Sequence, residues 1–156
     1  GVMLNNGNGT FAPRIDFPVG GSPYSLVAAD VDGDGLRDLL VANSGTSTVS
    51  VLINDGLGGF PLAVDYPTGA DPGMIVVADF NGDGKIDAAV NNANDSSLSV
   101  LLNLGNGTFA GKSDYATGSA PQSLTAADFN GDGRVDLASA NTNANSVSVL
   151  LNACIP

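Results

Sequence analysis

Three segments of this sequence superimpose without a gap: Asp30-Val-Asp-Gly-Asp-Gly-Leu-Arg-Asp38, Asp79-Phe-Asn-Gly-Asp-Gly-Lys-Ile-Asp87 and Asp128-Phe-Asn-Gly-Asp-Gly-Arg-Val-Asp136. Their starts lie 49 residues apart both times. Gly20, Gly69 and Gly118 keep the same period, as do Pro23, Pro72 and Pro121, Asn54, Asn103 and Asn152, and Phe11, Phe60 and Phe109. A fixed period of this length means one supersecondary unit copied and stacked. Gly (21), Asn (16) and Asp (16) make up a third of the chain, Glu is absent, and Ala is the one strong helix former in quantity. Helical repeats are therefore excluded, and short strands joined by tight turns are expected.

Within one copy four extended segments are legible: Ser25–Ala29, Leu39–Ala42, Thr48–Ile53 and Phe60–Tyr66. A Pro/Gly breaker, Gly69-Ala-Asp-Pro72, precedes the next copy. Four short antiparallel strands in 49 residues is the size of a β-propeller blade. The fold class is thus all-β, three four-stranded propeller repeats. Residues 1–18 read as the end of a preceding blade, 19–67 as the first repeat, 68–116 as the second and 117–156 as the third, which lacks its fourth strand. Three blades do not close a ring, since propellers have four to eight. The expectation is either a piece of a longer propeller or a homodimer closing a six-bladed ring, each chain lending Phe11–Phe17 to the other's Ser123–Leu151 blade. The lent strand would also cover an open sheet edge.

The Asp loop has the chemistry of a hard-cation site. Calcium takes six to eight oxygens in a flexible cage. Side chains at loop positions 1, 3 and 5 converge when a loop winds around an ion, Gly at position 6 allows the sharp turn, and the carbonyl at position 7 points inward. In the first copy the predicted ligands are Asp30, Asp32, Asp34 and Asp38 with the Leu36 carbonyl. In the second they are Asp79, Asn81, Asp83 and Asp87 with the Lys85 carbonyl, and in the third Asp128, Asn130, Asp132 and Asp136 with the Arg134 carbonyl. Ten of the 16 acids sit in these loops; without a cation such carboxylates repel and raise one another's pKa values. An EF-hand needs a Glu at position 12, where this chain has Val41, Val90 and Ser139. Magnesium is disfavoured because it seldom uses an all-protein cage. One Ca2+ per repeat is the expectation.

The stretch Ala126–Ala138 (Ala-Ala-Asp-Phe-Asn-Gly-Asp-Gly-Arg-Val-Asp-Leu-Ala), with Ser99–Asn103 and Gly105–Phe109, resembles the FG-GAP/VCBS repeat. That repeat builds the propeller of integrin α-subunits and recurs in bacterial secreted proteins and some fungal lectins. The resemblance covers essentially the whole chain. It implies a calcium ion in each loop between the first and second strands of a blade, held by the residues already named. The family's propellers usually have seven blades, against three here. The Phe-Gly and Gly-Ala-Pro elements are degenerate, as Tyr24-Ser25 and Val41-Ala-Asn43 show, which leans toward the VCBS-type branch.

Composition excludes other functions. Five basic residues against 16 acids give a net charge of −11, so nucleic acid is not a partner. No apolar run approaches the roughly 20 residues of a membrane span, so no membrane insertion is expected. There is no His, and the single Cys154 allows no internal disulfide. Asn8, Asn94 and Asn106 begin glycosylation-type triplets that chance produces in so Asn-rich a chain. Ser and Thr lack a base to activate them, and Lys85 and Lys112 read as surface residues. The chain is therefore expected not to be an enzyme. The loop between strands two and three, at Asn43–Ser47, Asn91–Ser96 and Asn141–Asn145, lies opposite the calcium loops. Asn43, Asn91, Asn92, Asn94, Asn141 and Asn143 are candidates to hydrogen-bond a sugar or a partner loop. The expected function is a calcium-stabilised interaction module of an extracellular, cell-surface or periplasmic protein, binding a glycan or an extracellular protein. A ligand-free structural half-propeller is the alternative, and a hydrolase using clustered Asp residues ranks last.

Overall fold

In the computed structural model, residues 1–153 are described; Cys154 lies outside them. Eleven strands and no helix occur among the described residues. The first sheet runs β1 (Pro23–Ala29), β2 (Asp38–Asn43), β3 (Thr48–Leu52) and β4 (Ala63–Pro67), each pairing antiparallel with the next. The second repeats this order with β5 (Pro72–Ala78), β6 (Asp87–Asn92), β7 (Ser97–Leu101) and β8 (Ser113–Ala116). The third has three strands, β9 (Pro121–Ala127), β10 (Asp136–Asn141) and β11 (Ser146–Leu150). The three sheets follow one another in chain order, and no ring closes among the described residues.

Local chemistry explains these elements. Leu40 pairs with Val51 and Ala42 with Val49, so β-branched and apolar side chains alternate onto one face of the first sheet. The β2–β3, β6–β7 and β10–β11 turns put Ser47, Ser96 and Asn145 in the left-handed region, at φ near 50°. Small polar residues adopt that conformation with little penalty. The residue before each breaker proline is left-handed as well: Ser22, Asp71 and Ala120.

The blades stack face to face around their first strands, with β1 against β5 and β5 against β9. Leu40, Ala42, Val49 and Val51 of the first blade meet Ala88, Val90, Leu101 and Phe109 of the second. Ala89, Leu98 and Val100 on the second blade's other face meet Leu124 and Leu137 of the third. Each sheet is therefore apolar on both faces, as a stacked blade must be. Residues 1–18 form a loose hairpin, bridged at Val2–Ile15 and Asn5–Phe11, and Val2 and Phe17 pack on Val41, Leu52 and Phe60 of the first blade. Phe17 meets Phe60 edge-on at 5.4 Å between ring centres, and one repeat later Tyr66 meets Phe109 at 5.5 Å. Among the described residues no helix is long and apolar enough to cross a membrane.

Candidate metal centre

Each Asp loop joins the first and second strands of a blade. Asp30 winds the first loop around itself: Oδ1 accepts from the Gly33 N–H at 2.7 Å and Oδ2 from the Gly35 N–H at 2.9 Å. Gly33 and Gly35 have φ of 83° and 87°, and nothing lies within 4 Å of a Cβ built on either. The backbone conformation, not space, demands glycine there. Asp32 Oδ1 accepts from Asp34 N–H and Asp34 Oδ1 from Leu36 N–H. The other loops repeat this winding through Asp79 to Gly82 and Gly84, and through Asp128 to Gly131 and Gly133.

The last Asp of each loop does something the spacing does not disclose. Asp38, Asp87 and Asp136 are each 0% exposed. Asp38 Oδ2 accepts from Val31 N–H and Oδ1 from Asn54 N–H, both at 2.9 Å. Asp87 does the same with Phe80 and Asn103, and Asp136 with Phe129 and Asn152. This carboxylate ties the loop to the end of the third strand, and its oxygens keep spare lone pairs. Burial pushes the Asp87 carboxyl up, against the two backbone hydrogen bonds that lower it.

In the first loop, carboxylate oxygens of Asp30, Asp32 and Asp38 lie within 4.8 Å of one another. Oxygens about 2.3–2.6 Å from one calcium ion are at most about 5 Å apart, so the donor set fits that ion in chemistry and spacing. Asp34 is outside the group, and Leu36 is partly exposed. Burial first, then repulsion from Asp38, Asp34 and Asp30, raises the Asp32 carboxyl above its ordinary value, with the Asp34 N–H opposing.

The other two loops differ. Asn81 and Asn130 replace the second carboxylate, and a basic side chain at position 7 reaches back to position 5. Lys85 Nζ lies 3.0 Å from Asp83 Oδ2, and an Arg134 guanidinium nitrogen 3.1 Å from Asp132 Oδ2. The Lys85 contacts hold Asp83 below the usual carboxylate range. Asp132 is lowered first by the Arg134 N–H, and Asp128 first by the Gly133 N–H.

The structure corrects the ligand-face reading for four of the six asparagines. Asn43, Asn91, Asn92 and Asn141 are buried. Asn43 Nδ2 donates to Thr48 and Ser50 hydroxyls, Asn92 to Ser97 and Ser99, and Asn141 to Ser146 and Ser148. Asn91 joins blades, accepting from Met74 N–H and donating to the Pro121 carbonyl. In each blade the hydroxyls accepting this amide lie five and seven residues further on, across the turn, so the strand-ending Asn turns inward. Asn94 and Asn143 are exposed at the turns, opposite the Asp loops. The landmark asparagines carry a role that periodicity alone did not reveal. Asn103 Nδ2 donates to Ile86 O in its own blade and Val31 O in the preceding Asp loop, and Asn152 likewise to Val135 O and Phe80 O.

The FG-GAP-like repeat profile matches residues 1–41, 30–90 and 79–139. No curated protein matches the chain significantly. Among the solved structures that match is a chain of the Photorhabdus luminescens Tc holotoxin pore. It is 24% identical, with a TM-score of 0.51 over 88% of this chain, and this chain spans 7% of its length. That likeness shows a shared fold. The Asp loop between first and second strands recurs in every blade and the repeat profile matches three times, so the chain belongs to the FG-GAP-like repeat family.

Proposed function

We propose that this chain is a calcium-stabilised propeller module of an extracellular, cell-surface or periplasmic protein, binding a glycan or protein through the turns opposite the Asp loops. The convergence of Asp30, Asp32 and Asp38 carries the metal reading. When bound, calcium neutralises the clustered carboxylates and stiffens the loop. Asp30, Asp32 and Asp38 would hold it in the first blade, with Asp34 and the Leu36 carbonyl beside them. The corresponding sets are Asp79, Asn81, Asp83, Lys85 O and Asp87, then Asp128, Asn130, Asp132, Arg134 O and Asp136. Extracellular calcium modules bind at about 0.1–1 mM, which suits the extracellular, cell-surface or periplasmic location of this reading. Exposed Asn94 and Asn143 support a polar ligand face. The module is not an enzyme in this reading, since the carboxylates are committed to backbone and cation.

The test is thermal unfolding in millimolar calcium and in EDTA. Occupied sites stabilise by mass action, and each ion removes two units of a net −11. Calcium should raise the Tm, and Asp32→Ala should shrink the shift. An identical Tm in both conditions refutes the metal reading. Glycan and protein binding is then read with Asn94→Ala and Asn143→Ala, which should weaken it without changing the Tm.

A further inference from the structure

We infer that Asn103 and Gly107 of the second blade are positioning residues for the first blade's cation loop, so that calcium held there is coupled to the joint between the two blades. This deepens the calcium reading and rests on it. Neither residue is a ligand; both act through Val31.

Val31 lies between Asp30 and Asp32 in the chain and is 2% exposed. Its N–H donates to Asp38 Oδ2 at 2.9 Å. One residue is therefore joined to all three converging carboxylates, two through the chain and the third by a hydrogen bond. Its carbonyl faces the neighbouring blade, where two donors meet it: Asn103 Nδ2 at 2.9 Å and Gly107 N–H at 3.2 Å. Two donors occupy both lone pairs of that oxygen.

Asn103 is itself held from several sides. It is buried, and its N–H donates to Asp87 Oδ1 at 2.8 Å. The second amide hydrogen goes to Ile86 O at 2.9 Å, and Oδ1 accepts from Gly105 N–H at 2.7 Å. With every amide position committed, its grip on Val31 is set before an ion arrives. The turn it supports leans on the loop as well. A Cβ built on Gly107 would lie 3.4 Å from Asp32 Cβ and 2.6 Å from Ile53 Cδ1, at a φ of 74°. Backbone conformation and the closeness of a ligand residue both call for glycine there.

A calcium cage needs its oxygens within about 2.3–2.6 Å of one point, and the partners that orient ligands govern affinity as the ligands do. Without the Asn103 amide, Val31 is freed, and with it the spacing of Asp30, Asp32 and Asp38. By linkage the coupling runs both ways: whatever fixes Val31 also fixes the turn from Asn103 to Gly107. The next joint repeats the main bond, with Asn152 Nδ2 donating to Phe80 O at 2.6 Å and Phe80 N–H donating to Asp87. Asn103 and Asn152 thus serve different loops, and each is a control for the other.

The experiment is a calcium titration of the chelator-treated chain followed by amide NMR, with Gly33 and Gly35 reporting the first loop and Gly82 and Gly84 the second. Asn103→Ala should weaken calcium at the first loop by up to about tenfold, the lower end of what outer-shell partners of a metal ligand contribute. The second loop should be affected less. Asn152→Ala should do the reverse, whereas a general loss of stability would lower both loops alike. Asp32→Ala gives the reciprocal test, because it removes a carboxylate but keeps the Cβ that faces Gly107. Calcium should slow hydrogen exchange of the Gly107 N–H in wild type, and that protection should disappear in Asp32→Ala. Glycine amides that ignore calcium in wild type refute the calcium reading and this inference with it. Calcium binding that Asn103→Ala leaves intact at the first loop overturns the inference alone, as does Gly107 protection that persists in Asp32→Ala.

Discussion

Asn92 holds its turn from inside the blade. Its amide reaches the hydroxyls of Ser97 and Ser99 across a two-strand hairpin, and the chain passing over it at Gly69 has no room for a side chain. A Cβ at Gly69 would sit 2.6 Å from Asn92 Nδ2, and one at Gly118 2.7 Å from Asn141 Nδ2. This close approach explains why glycine recurs there. Gly69→Ala should cost about 1–3 kcal/mol through overpacking, measured by urea unfolding. Asp114 shows a second residue-scale effect. Its modest desolvation is outweighed by hydrogen bonds from Lys112 and Ser99, which hold the carboxyl below its ordinary value of 3.8. A depressed folded value contributes stability above the unfolded value and loses it as pH falls through the folded one. Asp114→Asn should therefore show a smaller loss of stability than wild type on acidification below about pH 4, in urea titrations run across that range.

At the level of the element, the three Asp loops share a backbone but not an electrostatic state. The buried last Asp clamps each loop to the third strand in the same way, so the winding is common to all. They differ at position 3, where Asn81 and Asn130 replace Asp32, and at position 7, where Lys85 and Arg134 pair with Asp83 and Asp132 and Leu36 cannot pair with Asp34. A tethered cation competes with a bound one for the same carboxylate. Exposed ion pairs are weak, so Lys85→Leu should tighten calcium at the second loop only modestly, by roughly two- to fivefold. Leu36→Lys should weaken the first loop comparably. Calorimetric titration reads both, and equal affinities in all variants would show that position 7 has no influence.

For the whole molecule, stability depends on how blades are joined, because neither face of a blade is satisfied alone. Apolar stacking supplies most of the contact, and Asn103 adds a polar rivet between the second blade and the first Asp loop. Asn54 sits in the same register, and its side-chain amide donates to Arg37 O in its own blade. Asn103→Ala should therefore destabilise by about 1–2 kcal/mol more than Asn54→Ala, the difference being a buried inter-blade hydrogen bond. Chemical denaturation of the two variants checks it. The same rivet makes the first Asp loop part of a blade interface, so ordering that loop also orders the joint.

The sequence by itself determined the all-β class, the three repeats and the approximate strand positions. Each of these is a local or periodic property, carried by turn chemistry, alternation and a 49-residue repeat. Strand ends moved by a few residues, as where β1 begins at Pro23 rather than Ser25. Only the tertiary structure decided which polar residues face solvent. Asn92 and Asn94 look alike in the sequence, yet one is sealed under Gly69 and the other stands in water. It also decided that Asp38 is a clamp and that Asn103 reaches the neighbouring blade. Burial and partnership depend on contacts between residues far apart in the chain, and a periodic pattern names the equivalent positions without showing which of them are filled.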